Sequence, residues 1–188
     1  MKKKLLIVGS GGLGRVTLEH ASRDYDCFFI DDGYAVNTEI CGVKVVGNTS
    51  QLKDLYNEYN HLIVTIGDNK IREKIYIDAK QIGYHLPNII CESAYISPFA
   101  KVGEGCVILN NVVIQNGSKI GNGVILNPGV EVHHDSMIGD FVCIYTNSVV
   151  RTYATVGDKA KIGSNVTICN NATVKKNENI DDGEAVKV

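Results

Sequence analysis

No apolar run in this 188-residue chain is long enough to cross a bilayer, and no pair of its six cysteines has CxxC spacing. The first absence argues against a membrane-spanning helix. The apolar stretch Leu5 to Val8 follows the basic run Lys2 to Lys4 but stops at Gly9, too short for the core of a secretory signal. The second absence, with the scattered positions Cys27, Cys41, Cys91, Cys106, Cys143 and Cys169, points to reduced thiols and a cytoplasmic location. Charge of one sign is also lacking: the formal net charge is -2 and Lys2 to Lys4 is the only basic run, so there is no nucleic-acid footprint. Histidine is scarce after residue 90, where only His133 and His134 occur. No third imidazole is available there to complete a zinc site, and no metal is expected. Hydrophobic content of 44% against 21% charged residues is ordinary for a globular protein, so disorder is not indicated.

What the chain has in abundance is periodicity. From Ile96 to Val186 every sixth residue is aliphatic without a miss, through Val102, Ile108, Ile114, Ile120, Leu126, Val132, Ile138 and onward. A second series two residues earlier is mostly small or β-branched, as in Ala100, Cys106, Val112, Ser118, Val124, Val130 and Ser136. This is a hexapeptide repeat, which predicts a parallel β-helix. Gly103, Gly121, Gly139 and Gly157 are spaced by eighteen, so three hexapeptides make one triangular coil and these glycines stack at one tight corner. Such a prism cannot close its own ends and needs caps or partners.

The chain before the repeat alternates strands and helices. Residues 3 to 8 predict a buried strand, followed by the loop Gly9-Ser10-Gly11-Gly12-Leu13-Gly14 and a helix carrying Val16, Leu18 and His20. A second strand, Cys27 to Ile30, ends in Asp31-Asp32-Gly33. A short strand is expected at Val43 to Val46, a helix from Gln51 to Tyr59, a strand at Leu62 to Ile66 ending in Gly67, and a helix from Asn69 to Ile82. This pattern is a small Rossmann-like α/β domain, with the domain boundary near residue 90: residues 1–90 and 91–188. Carboxylates leaving the second strand after a GxGxxG loop suit a nucleotide ribose. A dinucleotide would need two mononucleotide-binding halves, and about 90 residues supply little more than one, so a nucleotide or nucleotide sugar is favoured over NAD.

Within the repeat, His133 and His134 fall at a corner just beyond the inward Val132, and Asp135 follows. An imidazole oriented by a carboxylate holds one tautomer and gains basicity, as general-base chemistry near neutral pH requires. Either histidine could serve. Outward polar residues at a corner are otherwise plain solvated surface.

The stretches IVGSGGLG (Ile7 to Gly14), FIDD (Phe29 to Asp32), IGDNKIR (Ile66 to Arg72), ISPFAKVGEG (Ile96 to Gly105), GVILNPGVEVHHDSMIGDF (Gly123 to Phe141) and VGDKAKIGSNVTI (Val156 to Ile168) resemble the sialic acid O-acetyltransferase (NeuD) family. The resemblance is closest to its PglD-type nucleotide-amino-sugar N-acetyltransferases and covers essentially the whole chain. It implies a Rossmann-like domain followed by a left-handed parallel β-helix, a homotrimer, and acetyl transfer from acetyl-CoA to a nucleotide-linked amino sugar in surface glycan biosynthesis. His134 then matches the catalytic base and Asp135 the acidic residue after it. Gly9, Gly11, Asp31, Asp32 and Gly67 match nucleotide-binding positions, and Asn127 would lie near the sugar. Thr152, Ser164 and Asp182 are the coenzyme candidates, with acetyl-CoA lying between neighbouring subunits.

Three departures from the family pattern stand out. Leu13 replaces a frequent histidine in the glycine loop. Thr152 stands one coil after His134, where the family places a glycine whose backbone N–H helps hold the acetyl carbonyl. The ending, Ile180 to Val188, is acidic where the family has a glycine-rich turn and a tail, and Glu178 and Glu184 enter small-residue slots, which predicts a fraying last coil. Two alternatives follow: O-acetylation of sialic acid or another sugar, or a trimeric sugar-nucleotide-binding scaffold that no longer binds coenzyme.

Overall fold

The computed structural model describes residues 2–188. The chain divides into two compact units that meet between Ile89 and Ile90.

The first unit is built on a mixed five-stranded sheet. Its elements in chain order are β1 (Lys3–Val8), α1 (Gly12–Ala21), β2 (Tyr25–Ile30), β3 (Glu39–Ile40), β4 (Val43–Gly47), α2 (Leu52–Leu55), β5 (His61–Val64) and α3 (Asn69–Ile82). The strand order is β3-β4-β2-β1-β5. Strand β1 runs parallel to β2 on one side and β5 on the other. Leu5, Leu6, Ile7 and Val8 are all buried, as a central parallel strand covered on both faces requires. Helix α3 spans the residues that the periodicity predicts. Asp68 caps its N-terminus by accepting from the Lys70 and Ile71 N–H groups, and Gly83 closes it at φ 111.

Two features differ from the sequence expectation. Strand β3 pairs antiparallel with β4 through a hairpin whose turn residues, Cys41 and Gly42, both have positive φ. Two residues are too few to show an alternating pattern. The helix expected over Gln51 to Tyr59 shortens to α2, behind a 3-10 turn held by a reciprocal Asn48–Gln51 capping box. Tyr59 lies beyond α2, buried edge-on against Phe28 and beneath the Lys4 ammonium. Tertiary packing overrides local helix preference there.

The second unit is a left-handed parallel β-helix of two-residue strands stacked into three faces of six, five and six strands. The first face runs from Tyr95–Ile96 to Ala185–Val186, the second from Lys101–Val102 to Thr173–Val174, and the third from Ile89–Ile90 to Asn179–Ile180. Pairing is in register at eighteen residues, so Ile114 meets Val132 and Val132 meets Val150. The second residue of each strand and the small residue before it build one continuous core.

Four-residue turns join the faces. In the turns after the second face, the glycine column is a steric requirement: a Cβ on Gly139 would lie 2.6 Å from the Asp158 nitrogen of the next coil. The third residue of most turns has positive φ, met by glycine or asparagine in several coils and by Asp135, Phe141, Tyr153 and Lys159 in others. Fraying is not what the last coil shows. The Thr167 and Cys169 N–H groups still reach the Glu184 and Val186 carbonyls at 2.9 Å, although Glu184 is exposed and Ile180 and Val186 are only partly buried. Backbone pairing therefore outlasts the packed core by one coil.

Candidate active site

The turns after the first face stack residues 115–118, 133–136 and 151–154 along one edge of the prism. His134 lies at its middle level. Its backbone N–H donates to Gln115 Oε1 at 3.1 Å, one coil below. On the ring, Nδ1 is 2.9 Å from Asp135 Oδ2, and Nε2 is 3.3 Å from Thr152 Oγ1, one coil above. An ionised carboxylate only accepts, so Nδ1 carries the proton and Nε2 keeps its lone pair, to which the Thr152 hydroxyl donates. Tyr153 meets the imidazole edge-on at 5.9 Å and holds its ring outward from a backbone at φ 60.

The His134 and Asp135 side chains are each about half exposed, at 49% and 47%. Even counted as an ion pair, a contact so open contributes only roughly 0 to 1 kcal/mol to stability, so fold maintenance does not account for it. Its effect is to orient a half-exposed ring whose second nitrogen faces the Thr152 hydroxyl. His133 differs: its Nε2 lies 3.4 Å from Glu131 Oε2, on the strand just before it. Of the two histidines, His134 alone combines an orienting carboxylate with a hydroxyl one coil above.

The remaining candidates fall in separate places. Asn127 donates from its amide to the Ile144 carbonyl at 2.9 Å, tying one coil to the next. Ser164 and Asp182 lie together in the turns after the third face, where the Ser164 N–H donates to Asp182 Oδ1 at 2.6 Å. Both line a cleft of about 710 Å³ with Tyr145, Lys161 and Asp181, and the Lys161 ammonium lies 5.4 Å from the Tyr145 ring centre. Thr152 is on a different edge, with His134. One chain therefore does not gather the three coenzyme candidates around one point.

In the first unit, Gly9, Asp31 and Asp32 line a small cleft of about 200 Å³ with Thr49 and Ile66, and Gly67 follows directly. Gly9 adopts φ 96, and a Cβ on Gly14 would lie 1.8 Å from the Gly9 carbonyl oxygen, so the loop needs both glycines. Gly11 caps α1 beside open space. Asp31 accepts from the Ser10 N–H and hydroxyl and from the Gly33 N–H, at 2.6 to 2.9 Å. Desolvation opposes ionisation of Asp31, but these donors outweigh it and hold the carboxyl below its ordinary range. Asp32 accepts from the Thr49 N–H and hydroxyl at 2.7 and 2.9 Å. Sequence reasoning did not single out Ser10, Thr49, Gln115 or Tyr153. For Gln115 the eighteen-residue register was an available signal, because it stands one coil below His133.

Residues 4–79 match the family model of the PglD N-terminal domain. The whole chain is similar to the acetyltransferase domain of PglB from Neisseria gonorrhoeae FA1090, at 30% identity and TM-score 0.94, covering 99% of this chain and 92% of that one. A second structure of that domain, in complex with acetyl coenzyme A, matches at 30% identity and TM-score 0.88, over 98% of this chain and 96% of that one. A mutant of perosamine N-acetyltransferase from Caulobacter crescentus, in complex with CoA and GDP-perosamine, matches at 28% identity and TM-score 0.80, over 97% and 90% of the two chains. Identity at this level, sustained across both structural units, shows that the chain belongs to the PglD-type family of hexapeptide-repeat acetyltransferases.

Proposed function

We propose that the chain is an acetyl-CoA-dependent N-acetyltransferase acting on a nucleotide-linked amino sugar for surface glycan assembly, working as a cytoplasmic homotrimer. The observation that carries this reading is the His134–Asp135 pair, with the imidazole half exposed at an edge of an acetyltransferase scaffold. The similar structures holding acetyl coenzyme A, or CoA with GDP-perosamine, support the two substrate classes.

Acetyl-CoA supplies a thioester whose carbonyl carbon receives the amine and whose sulfur departs. The chain's own residues handle the proton. His134 Nε2 takes a proton from the acceptor nitrogen as the C–N bond forms and delivers it to the sulfur as the C–S bond breaks. Asp135 stabilises the imidazolium in between, and a base so placed contributes roughly 10² to 10⁴ in rate. The Thr152 backbone N–H serves the acetyl carbonyl oxygen. The Tyr145 ring and Lys161 ammonium suit an aromatic base and a phosphate, while Asp182 is turned onto the Ser164 N–H. The Gly9, Asp31 and Asp32 cleft serves the nucleotide. Since Thr152 and Ser164 lie on different edges, coenzyme contacts from both require neighbouring copies.

The test is thiol release from acetyl-CoA with UDP-, GDP- and dTDP-linked amino sugars. Turnover that is lost in His134→Ala at unchanged melting temperature is the expected result. Release with sialic acid and with no amine would assign the chain to the NeuD O-acetyltransferase activity instead. Nucleotide-sugar binding without any coenzyme binding would make it a scaffold.

A further inference from the structure

We infer that Ser136 is a positioning residue, which aims the Thr152 backbone N–H outward at the acetyl carbonyl. This rests on the proposed acetyl transfer. The inward slot that closes each turn after the first face holds, coil by coil, Ala100, Ser118, Ser136, Ala154 and Ala172. Hydroxyls therefore occur only beneath the two turns that carry His134 and Thr152. Both serines are fully buried, where an unbonded hydroxyl would be costly. Ser118 Oγ donates to the His133 carbonyl at 2.8 Å and Ser136 Oγ to the Arg151 carbonyl at 2.9 Å. The Arg151 carbonyl also accepts from the Ala154 N–H at 3.0 Å, so two donors hold it inward.

A trans peptide is planar, with its C=O and N–H pointing in opposite directions. Anchoring the Arg151 carbonyl inward therefore turns the Thr152 N–H outward. Equivalent peptides send this N–H outward with a hydroxyl beneath them or without one, as above Val124, where the Asp140 N–H meets Asp158 Oδ1 at 3.2 Å; the hydroxyl thus fixes a direction that the turn already favours. Ser148 Oγ holds the Gly163 carbonyl at 2.6 Å, and the next N–H, of Ser164, leaves the scaffold to meet Asp182 Oδ1. Above Ser118, the His134 N–H likewise meets Gln115 Oε1. At Thr152 the side-chain oxygen already lies 3.3 Å from the base nitrogen, so the N–H of that residue sits beside the reacting atoms. Packing alone does not explain the hydroxyl, because alanine fills the same slot in three other coils.

The experiment compares wild type, Ser136→Ala and Ser136→Cys in full-length protein. Alanine is native to the slot, so Ser136→Ala is expected to fold. Cysteine can retain a weaker bond, as Cys106 Sγ does toward the Gly121 carbonyl at 3.2 Å. Complete removal of an oxyanion donor costs roughly 10² to 10³ in kcat, and a donor left loosely aimed should cost about tenfold. The expected result is a kcat about tenfold lower for Ser136→Ala, partly recovered in Ser136→Cys. KM for both substrates, and calorimetric affinity for CoA without the acetyl group, should stay within about twofold of wild type. A kcat within twofold of wild type in Ser136→Ala, or a loss confined to KM or CoA affinity, overturns the inference alone. A wild-type chain that acetylates no amine or hydroxyl removes the functional reading and this inference with it.

Discussion

At the scale of single residues, Asp135 combines two demands that few side chains meet together. Its backbone sits at φ 61, where asparagine and aspartate are tolerated better than most residues, and its carboxylate must reach back to Nδ1 of His134. Asp135→Asn should therefore preserve the turn while weakening control of the imidazole tautomer. The expected outcome is a fall in kcat on the order of 10²-fold, with the melting temperature changed by less than about 2 °C. Steady-state kinetics with thermal denaturation would check it, and a large loss of stability with unaltered kcat would contradict the assignment. That two histidines stand beside Asp135 was legible because adjacent residues need no fold to bring them together. Ser10 was not, because its bonds to Asp31 span 21 positions and exist only where β1 and β2 lie side by side.

At the scale of elements, the turns carry the steric limits and the helix ends carry the pH dependence. Gly139→Ala would drive a methyl group onto the Asp158 backbone nitrogen and Oδ1, and the backbone atom cannot rotate away as the carboxylate can. A melting temperature lowered by several degrees is expected, whereas alanine at Gly67, which has open space around its added Cβ, should have little effect. Asp68→Ala removes the cap of α3 and should cost about 0.5 to 2 kcal/mol, measured by urea unfolding.

The Ile71 N–H lowers the Asp68 carboxyl most, desolvation opposes it, and the Lys70 N–H adds to the lowering; Asp31 is lowered as well. The unfolded chain thus holds these protons more tightly. The stabilisation from both carboxylates is complete above their unfolded value, about pH 4, and is lost as pH falls through their lower folded values. The stability gap between wild type and Asp68→Ala should accordingly narrow between about pH 5 and the acid limb. The span of helix α3 was readable from its residues, whereas its caps, Asp68 and Gly83, were flanking signals that the sequence reading did not take up. The shortened α2 was not readable, because burial of Tyr59 against Phe28 overrides a local preference.

At the scale of the whole molecule, the separation of Thr152 from Ser164 and Asp182 onto different edges of the prism gives the proposed trimer its purpose. Sedimentation at assay concentration should show a species of three chain masses, and turnover per chain should fall on dilution as that species dissociates. A fully active monomer would refute coenzyme binding between copies.

The register of the coils was written in the chain itself, because every inward position faces the same slot eighteen residues away and tolerates the same narrow set of side chains. A constraint repeated in each coil leaves a periodic trace, and that trace placed Thr152 above His134 before any coordinates. Directions leave no such trace. Which histidine faces the carboxylate, how Ser10 closes on Asp31, and that Ser136 draws the Arg151 carbonyl inward all follow from rotamers and peptide orientations. These are set by the packed surroundings, and residue order alone does not encode them in readable form.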